Sequence, residues 1–156
     1  MSDFPPGQWS PLLVGHQWPS AGSLAILTAA ATNRSKTAQA FEMYGDALRT
    51  TRAGLLADQE GVTADDTRDA FQAGEYQARD SAGKNASKAH GYQSAHAWIS
   101  ELRSELTDIA ARGNSAIEEI QASKEPVAIK VGKIVDVVVQ AQSEASGKAG
   151  SHSANL

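Results

Sequence analysis

A heptad repeat over residues 95–120 is the feature that most restricts how this chain folds. Small or apolar residues recur there at alternating steps of four and three. This spacing places them along one side of an α-helix, and it is the pattern by which long helices pack together. Small side chains within the repeat let a neighbouring helix approach closely. The members of the repeat are Ala95, Ile99, Leu102, Leu106, Ile109, Gly113, Ala116 and Ile120.

The first half of the chain also has a helical pattern. Residues 23–57 contain no proline, and their apolar residues fall at spacings of three, four and seven, which predicts a long first helix. The polar stretch DQEGV at residues 58–62 predicts a turn, with a second helix from about Ala64. Gly83 and Asn85 have low helix propensity, so we expect a kink or break there. Two long helices joined by a short turn predict an antiparallel hairpin.

The two ends of the chain differ from its middle. Residues 1–19 hold four of the five prolines, which predicts an irregular N-terminal arm. Residues 127–141 are rich in Val and Ile, and both a strand and a helix are open; helical spacing and the lack of a partner strand favour the helix. Residues 142–156 are small and polar, which predicts a flexible tail or linker. We therefore expect an all-α protein with a helical bundle at residues 20–141.

Composition argues against several classes of protein. The net charge is −4 and no basic cluster is present, so nothing favours nucleic-acid binding. The chain has no Cys, which excludes disulfides and thiolate metal sites. The apolar run LAILTAAA is far shorter than the ~20 residues of a transmembrane helix. The opening MSDFPPGQW lacks the basic and apolar regions of a cleaved signal peptide, so we expect any export to proceed without one.

The sequence shows no arrangement typical of an enzyme. His90 and His96 are six residues apart and so lie on different sides of a helix, which makes them a poor metal-binding pair. No nucleophile elbow, phosphate-binding loop or dinucleotide motif is present. We therefore predict no catalytic site, no bound metal and no cofactor, and we favour a protein-interaction module.

The large apolar side chains can have one of two roles. They form a surface for a protein partner, or they cover the core of the bundle itself, and both alternatives are open. The segment after Pro126 belongs to the same set of candidates. The residues considered for partner binding are Leu12, Leu13, Trp18, Trp98, Ile99, Leu102, Leu106 and Ile109.

Two stretches resemble a known class of secreted proteins. They are QWPSAGSLAILTAAATNRSKTAQAFEMYGDAL, residues 17–48, and AFQAGEYQARDSAGKNASKAHGYQSAHAWISELRSEL, residues 70–106. An Ala-rich helical hairpin carrying Y-x-x-x-D resembles the helical substrates of actinobacterial type VII secretion. That class includes the Trp-X-Gly proteins, the PE and PPE proteins, and the PPE-like N-terminal domains of larger effectors and toxins.

The resemblance implies an export function. In that class Y-x-x-x-[DE] is part of the export signal, and the matching residues here are Tyr76 and Asp80. Spaced by four, they share one face of a helix. This assignment is favoured if Tyr76 is exposed and if the helix breaks near Gly83, which would place both residues near a helix end. The implied partner is a helical heterodimer partner, a secretion chaperone or the secretion ATPase. The implied location is the cytoplasm before export and then the cell surface or the medium. The alternative function is an adaptor bundle that forms a homodimer through the 95–120 repeat and has no export role.

Overall fold

The computed structural model describes residues 3–155, and within that range it contains four helices and no strand. The all-α prediction is confirmed. No helix in this part of the chain combines the length and apolarity needed to cross a membrane. The chain divides into two units: residues 26–94 form one, and residues up to 25 together with those from 95 onward form the other. The helices are α1 (Ser10–Val14), α2 (Ala21–Ala53), α3 (Val62–Ala122) and α4 (Val127–Ser153).

Within residues 26–94, α2 and α3 form the predicted antiparallel hairpin. Arg34 Nη1 donates a hydrogen bond to Asn85 Oδ1 at 3.1 Å, and Arg52 Nη2 lies 3.1 Å from a carboxylate oxygen of Glu75. The later residue of α2 therefore pairs with the earlier residue of α3, so the two helices are antiparallel. The turn that joins them contains Gly61 at φ +104°, a backbone conformation that glycine adopts readily.

Small residues form the contact between these two helices. A β-carbon on Gly45 would lie 3.6 Å from Ala78 Cβ, so the backbones approach closely at this level. Close approach is possible because no large side chain separates the helix axes. On α2, Ala31, Ala38 and Gly45 follow one another at steps of seven, and both alanines are buried. On α3, Ala82 and Ala89 are buried as well.

An ion-pair network accompanies this contact. The carboxylate of Glu75 is almost completely buried, and it pairs with both Arg52 and Arg79. Arg79 also reaches across to Glu42 at 2.7 Å and to Asp46 at 2.9 Å. The hydrogen bonds that Arg79 donates, to Asp46 first and then to Glu75, raise the pKa of its guanidinium above the ordinary value. The charged α2 residues Glu42, Asp46 and Arg52 therefore have partners on α3.

The other unit packs α1 and α4 on the C-terminal part of α3. The helices α3 and α4 are antiparallel, because Glu105 pairs with Lys148 at 2.8 Å and Arg112 with Glu144 at 2.6 Å. Residues 127–141 are therefore helical, as the spacing favoured. Pro126 is the N-cap of α4. The largest fully buried side chains of this unit are Leu13, Val14, Leu106 and Ile117.

The prediction of a flexible tail after residue 141 is wrong. Residues 142–153 continue α4, which ends at Ser153. Ala145 is buried against the core, and Glu105 accepts hydrogen bonds from Lys148 Nζ and His152 Nε2, each at 2.8 Å. The bond from Lys148, followed by that from His152, lowers the pKa of Glu105 below its ordinary value of 4.5. Tertiary contacts therefore hold a segment that looked like a linker by composition.

The predicted break near Gly83 is also wrong. The helix α3 runs without interruption from Val62 to Ala122. Asn85 donates from Nδ2 to Ser81 O at 2.8 Å and accepts the bond from Arg34 on the facing helix. A glycine destabilises a helix by about 1 kcal/mol relative to alanine. Most of the stability of a helix in a protein comes from tertiary packing, which α3 has on both sides of Gly83.

The N-terminal arm is irregular except for α1, and polar contacts attach it to α3. Asn114 accepts a hydrogen bond from the Trp9 amide at 2.9 Å and donates to Ser10 Oγ at 3.0 Å. Arg103 pairs with Asp3 at 2.9 Å, and its guanidinium carbon lies 4.3 Å from the centre of the Trp18 ring. The bond from Arg103 lowers the pKa of the Asp3 carboxyl group. The arm is thus a packed part of its unit.

Candidate recognition surface

Tyr76 and Asp80 lie one turn apart on the outward face of α3. The Tyr76 side chain is 66% exposed, and Asp80 is exposed as well. The opposite face of the same turns contains Ala78 and Ala82, which are buried against α2. The exposure of Tyr76 that an export signal requires is therefore present in the structure.

The two residues belong to a row of four polar side chains spaced by four: Gln72, Tyr76, Asp80 and Lys84, hereafter the Tyr76 row. Gln72 Nε2 donates a hydrogen bond to the phenol oxygen of Tyr76 at 3.1 Å. Lys84 Nζ lies 2.7 Å from a carboxylate oxygen of Asp80. Exposed ion pairs of this kind contribute about 0–1 kcal/mol, so a partner can replace Lys84 at little cost.

The Tyr76 row lies on a continuous helix. The break near Gly83, which was the second condition for the export-signal assignment, is absent, so Tyr76 and Asp80 do not lie near a helix end. The uninterrupted α3 instead fixes the backbone under both residues, so their relative position is set before any partner binds. Such preorganisation lowers the entropy cost of recognition.

Four of the eight residues predicted for partner binding are buried in their own unit. Leu13, Leu102, Leu106 and Ile109 belong to one hydrophobic core, so the prediction of an intermolecular role is wrong for them. The reason is that α1 and α4 cover the heptad face of α3. The same cover occupies the 95–120 repeat, which therefore does not offer the homodimer interface that we considered.

The other four residues retain some exposure. Trp18, Trp98 and Ile99 are half-buried, and Leu12 is exposed. The Trp18 ring stacks on Phe4, with centroids 6.3 Å apart, and its Nε1 donates to Asp3 O at 2.9 Å. These contacts give Trp18 a structural role in holding the N-terminal arm.

Leu12 lines a cleft of about 470 Å³ between α1 and α4. Hydrogen bonds cross this cleft: Gln142 Nε2 donates to Leu12 O at 2.9 Å, and Gln17 Nε2 donates to Ser146 Oγ at 3.3 Å. They tie α1 to α4 along the lining of the cleft. Across residues 3–155, no group of three or more His, Asp or Glu side chains is arranged to hold a metal ion.

Sequence reasoning did not separate the two faces of α4. Val135 and Val139 are more than half exposed, whereas Ala141 and Ala145 are buried. Of the residues whose spacing favoured a helix, Ala141 is buried, whereas Val127 and Val131 are more than half exposed. The full set is Val127, Val131, Ile134, Val138 and Ala141. A helical projection of residues 127–141 shows two apolar faces. Only the tertiary packing shows which of these faces is buried against the core.

Comparison with known proteins finds one informative similarity. No family model matches the chain, and no solved structure matches it. The chain is 35% identical over 143 residues to the uncharacterized protein Rv2082 of Mycobacterium tuberculosis. The similarity covers 92% of this chain but 19% of that protein, so the chain spans about a fifth of the relative's length.

Proposed function

We propose that this chain is a helical domain recognised by a type VII secretion system, either as a secretion substrate or as the N-terminal targeting domain of a larger effector. The observation that carries the proposal is the exposure of Tyr76 and Asp80 one turn apart on α3. The secretion substrates that the chain resembles use a Tyr and an acidic residue at this spacing as part of their export signal.

The geometry suits recognition by a protein. The phenol of Tyr76 supplies a rigid apolar surface with one polar end, and the carboxylate of Asp80 accepts hydrogen bonds from a cationic side chain. Because both stand on a rigid helix, a partner meets them at a fixed separation. The partner we propose is a secretion chaperone, the secretion ATPase or a helical heterodimer partner.

The similar protein supports this proposal in two ways. It comes from Mycobacterium tuberculosis, an actinobacterium, and actinobacteria are the group whose secretion substrates this chain resembles. It is also much longer than the matched segment, as a protein with a targeting domain would be. The location that goes with this proposal is the cytoplasm before export and the outside of the cell afterwards.

Export from an actinobacterial host tests the proposal. We expect Tyr76→Ala with Asp80→Ala to reduce the exported fraction at least about tenfold, while the intracellular amount of folded protein stays the same. A tenfold change corresponds to about 1.4 kcal/mol of recognition free energy. Circular dichroism of the purified variant checks that the helices remain.

Two matched controls separate recognition from general effects. Tyr44→Ala removes a tyrosine that is 58% exposed on α2, and we expect normal export. Lys84→Ala breaks the ion pair with Asp80 but keeps the carboxylate, and we again expect normal export. Export of the Tyr76/Asp80 double variant at the wild-type level would contradict the proposal, and so would an equal loss in the Tyr44 variant.

A further inference from the structure

The contact between α2 and α3 repeats every seven residues on both helices. Within residues 26–94, its members follow one another at equal steps along α2 and along α3. Apart from one charged residue on each helix, they are buried alanines and a buried glycine. We call this contact the hairpin seam: Ala31, Ala38, Gly45 and Arg52 on α2, with Glu75, Ala82 and Ala89 on α3.

The small members of the hairpin seam do not determine which residue of α2 faces which residue of α3. If α2 moved by one heptad, or about 10 Å, Ala38 would take the place of Gly45, and small residues would still meet. The larger residues beside the seam repeat at the same interval. Leu48 packs against Gly74, and Phe41 would replace it after such a movement. Apolar packing is therefore similar in the two registers.

The charged members of the hairpin seam distinguish these registers. Glu75 is almost completely buried, with carboxylate oxygens 3.1 Å from Arg52 and 3.3 Å from Arg79, and Nη1 of Arg52 is buried too. In a shifted register Glu75 keeps Arg79 of its own helix but loses Arg52. Such a loss is costly, because little water reaches the buried carboxylate to compensate for the missing cation. We propose that the ion pair of Arg52 and Glu75 sets the register of the hairpin, as a single polar residue does in coiled coils.

The sequence around the hairpin seam penalises a slip in either direction. If α2 moves seven residues one way, Gly45 comes to lie opposite Glu75, so the carboxylate has no cation facing it. Movement the other way brings Gln59 to that place. It also brings Arg49 to the position from which Glu42 now binds Arg79, so that two like charges meet. Only the observed register pairs every one of these charges.

The distance between two spin labels reports the register. The labels are attached through Asn33→Cys and Gln77→Cys, at exposed positions of α2 and α3, and the chain has no other cysteine. A slip of one heptad changes the separation of these positions along the helix axis by ~10 Å, which pulsed electron paramagnetic resonance resolves. We expect one distance when the rest of the chain is wild type. The proposal does not rest on the export function, because the hairpin seam contains no residue of the Tyr76 row.

Arg52→Ala combined with Glu75→Ala makes the hairpin seam small throughout. The two changes remove both partners of the ion pair at once, and alanine favours the helix, so we expect the variant to fold, as circular dichroism checks. We expect at least about a tenth of the molecules to show a second label distance, shifted by ~10 Å. A single, unchanged distance would overturn the proposal, because the turn or the apolar residues would then fix the register.

The matched control is Glu42→Ala combined with Asp46→Ala. It also removes two charged residues of the hairpin, but these are the exposed partners of Arg79. Exposed ion pairs contribute little, so we expect the single native distance. If this control shows as much of the second distance as the Arg52/Glu75 variant does, the register depends on the exposed pairs and the proposal is wrong.

Moving the cation along α2 tests the proposal in the opposite sense. Gly45→Arg combined with Arg52→Ala places the arginine one heptad earlier, where only a slipped hairpin brings it opposite Glu75. In the native register the new side chain would meet Ala78, whose Cβ lies 3.6 Å from a β-carbon at position 45. We expect the two labels to come closer by ~10 Å along the axis. A folded variant that keeps the native distance contradicts the proposal, and if this variant does not fold, the Arg52/Glu75 variant decides.

Discussion

Leu13 packs directly against the bare backbone of Gly113. A β-carbon at position 113 would lie 2.7 Å from Leu13 Cδ1 and 2.9 Å from its Cδ2. Leu13 is fully buried at the centre of the core, so its side chain has no free space into which it can move. The heptad repeat predicted that a small residue at 113 allows a close approach, and the element that approaches is α1 of the N-terminal arm.

We expect Gly113→Ala to destabilise the protein by about 1–2 kcal/mol. Helix propensity alone would favour alanine by about 1 kcal/mol, but forcing a methyl group into a filled core costs about 1–3 kcal/mol or more. Urea denaturation measures the net effect. In combination with Leu13→Ala the penalty of Gly113→Ala should shrink, and fully additive effects of the two changes would contradict the contact.

Gly83→Ala should have the opposite effect. Gly83 is exposed in the middle of α3, and an added β-carbon would meet nothing within 4 Å. We expect a gain of about 0.5–1 kcal/mol in the free energy of unfolding, from helix propensity and reduced freedom of the unfolded chain. The same urea experiment serves as the measurement. A loss of stability would show that α3 needs a flexible point at this position.

Asn114→Ala should loosen the N-terminal arm. The change removes the acceptor of the Trp9 amide and the donor to Ser10, and a buried amide without a partner costs about 1–3 kcal/mol. We expect lower stability and faster hydrogen exchange at Trp9. Asn33→Ala, at an exposed position on α2, is the control and should change stability by less than about 0.5 kcal/mol. Equal exchange at Trp9 in both variants would exclude the role of Asn114.

Stability should depend on the ionisation of Glu105. Its pKa is lower in the folded protein than the ordinary value of 4.5, so its carboxylate stabilises the fold at neutral pH. This contribution is complete above about pH 4.5 and is lost as the pH falls through the folded value. We expect Glu105→Gln to lower stability at pH 7 and to make the acid decline shallower, as measured by urea denaturation at several pH values.

The control for this titration is Glu118→Gln, which removes an exposed carboxylate from the same helix. We expect its pH profile to match that of the wild-type protein. If Glu105→Gln and the wild type lose stability in parallel as the pH falls, then Glu105 has no linked contribution.

Much of the helical architecture follows from local signals. The spacing of Leu102, Leu106 and Ile109 predicted a helix, and Pro126 marked the boundary before α4. The outward position of Tyr76 and Asp80 follows from their spacing relative to Ala78 and Ala82, because helical periodicity alone sets which residues share a face. Composition was misleading at residues 142–153, where the contacts that hold the helix come from distant residues.

What the sequence by itself determined is the helical character of the chain, the antiparallel hairpin and the face on which Tyr76 stands, since all three depend on spacing within short segments. Only the tertiary structure decided which apolar surface is covered. It buried Leu13, Leu102, Leu106 and Ile109 in the core and left Val135 and Val139 exposed. Burial depends on which elements meet across long separations in the chain, and periodicity within one helix does not contain that information.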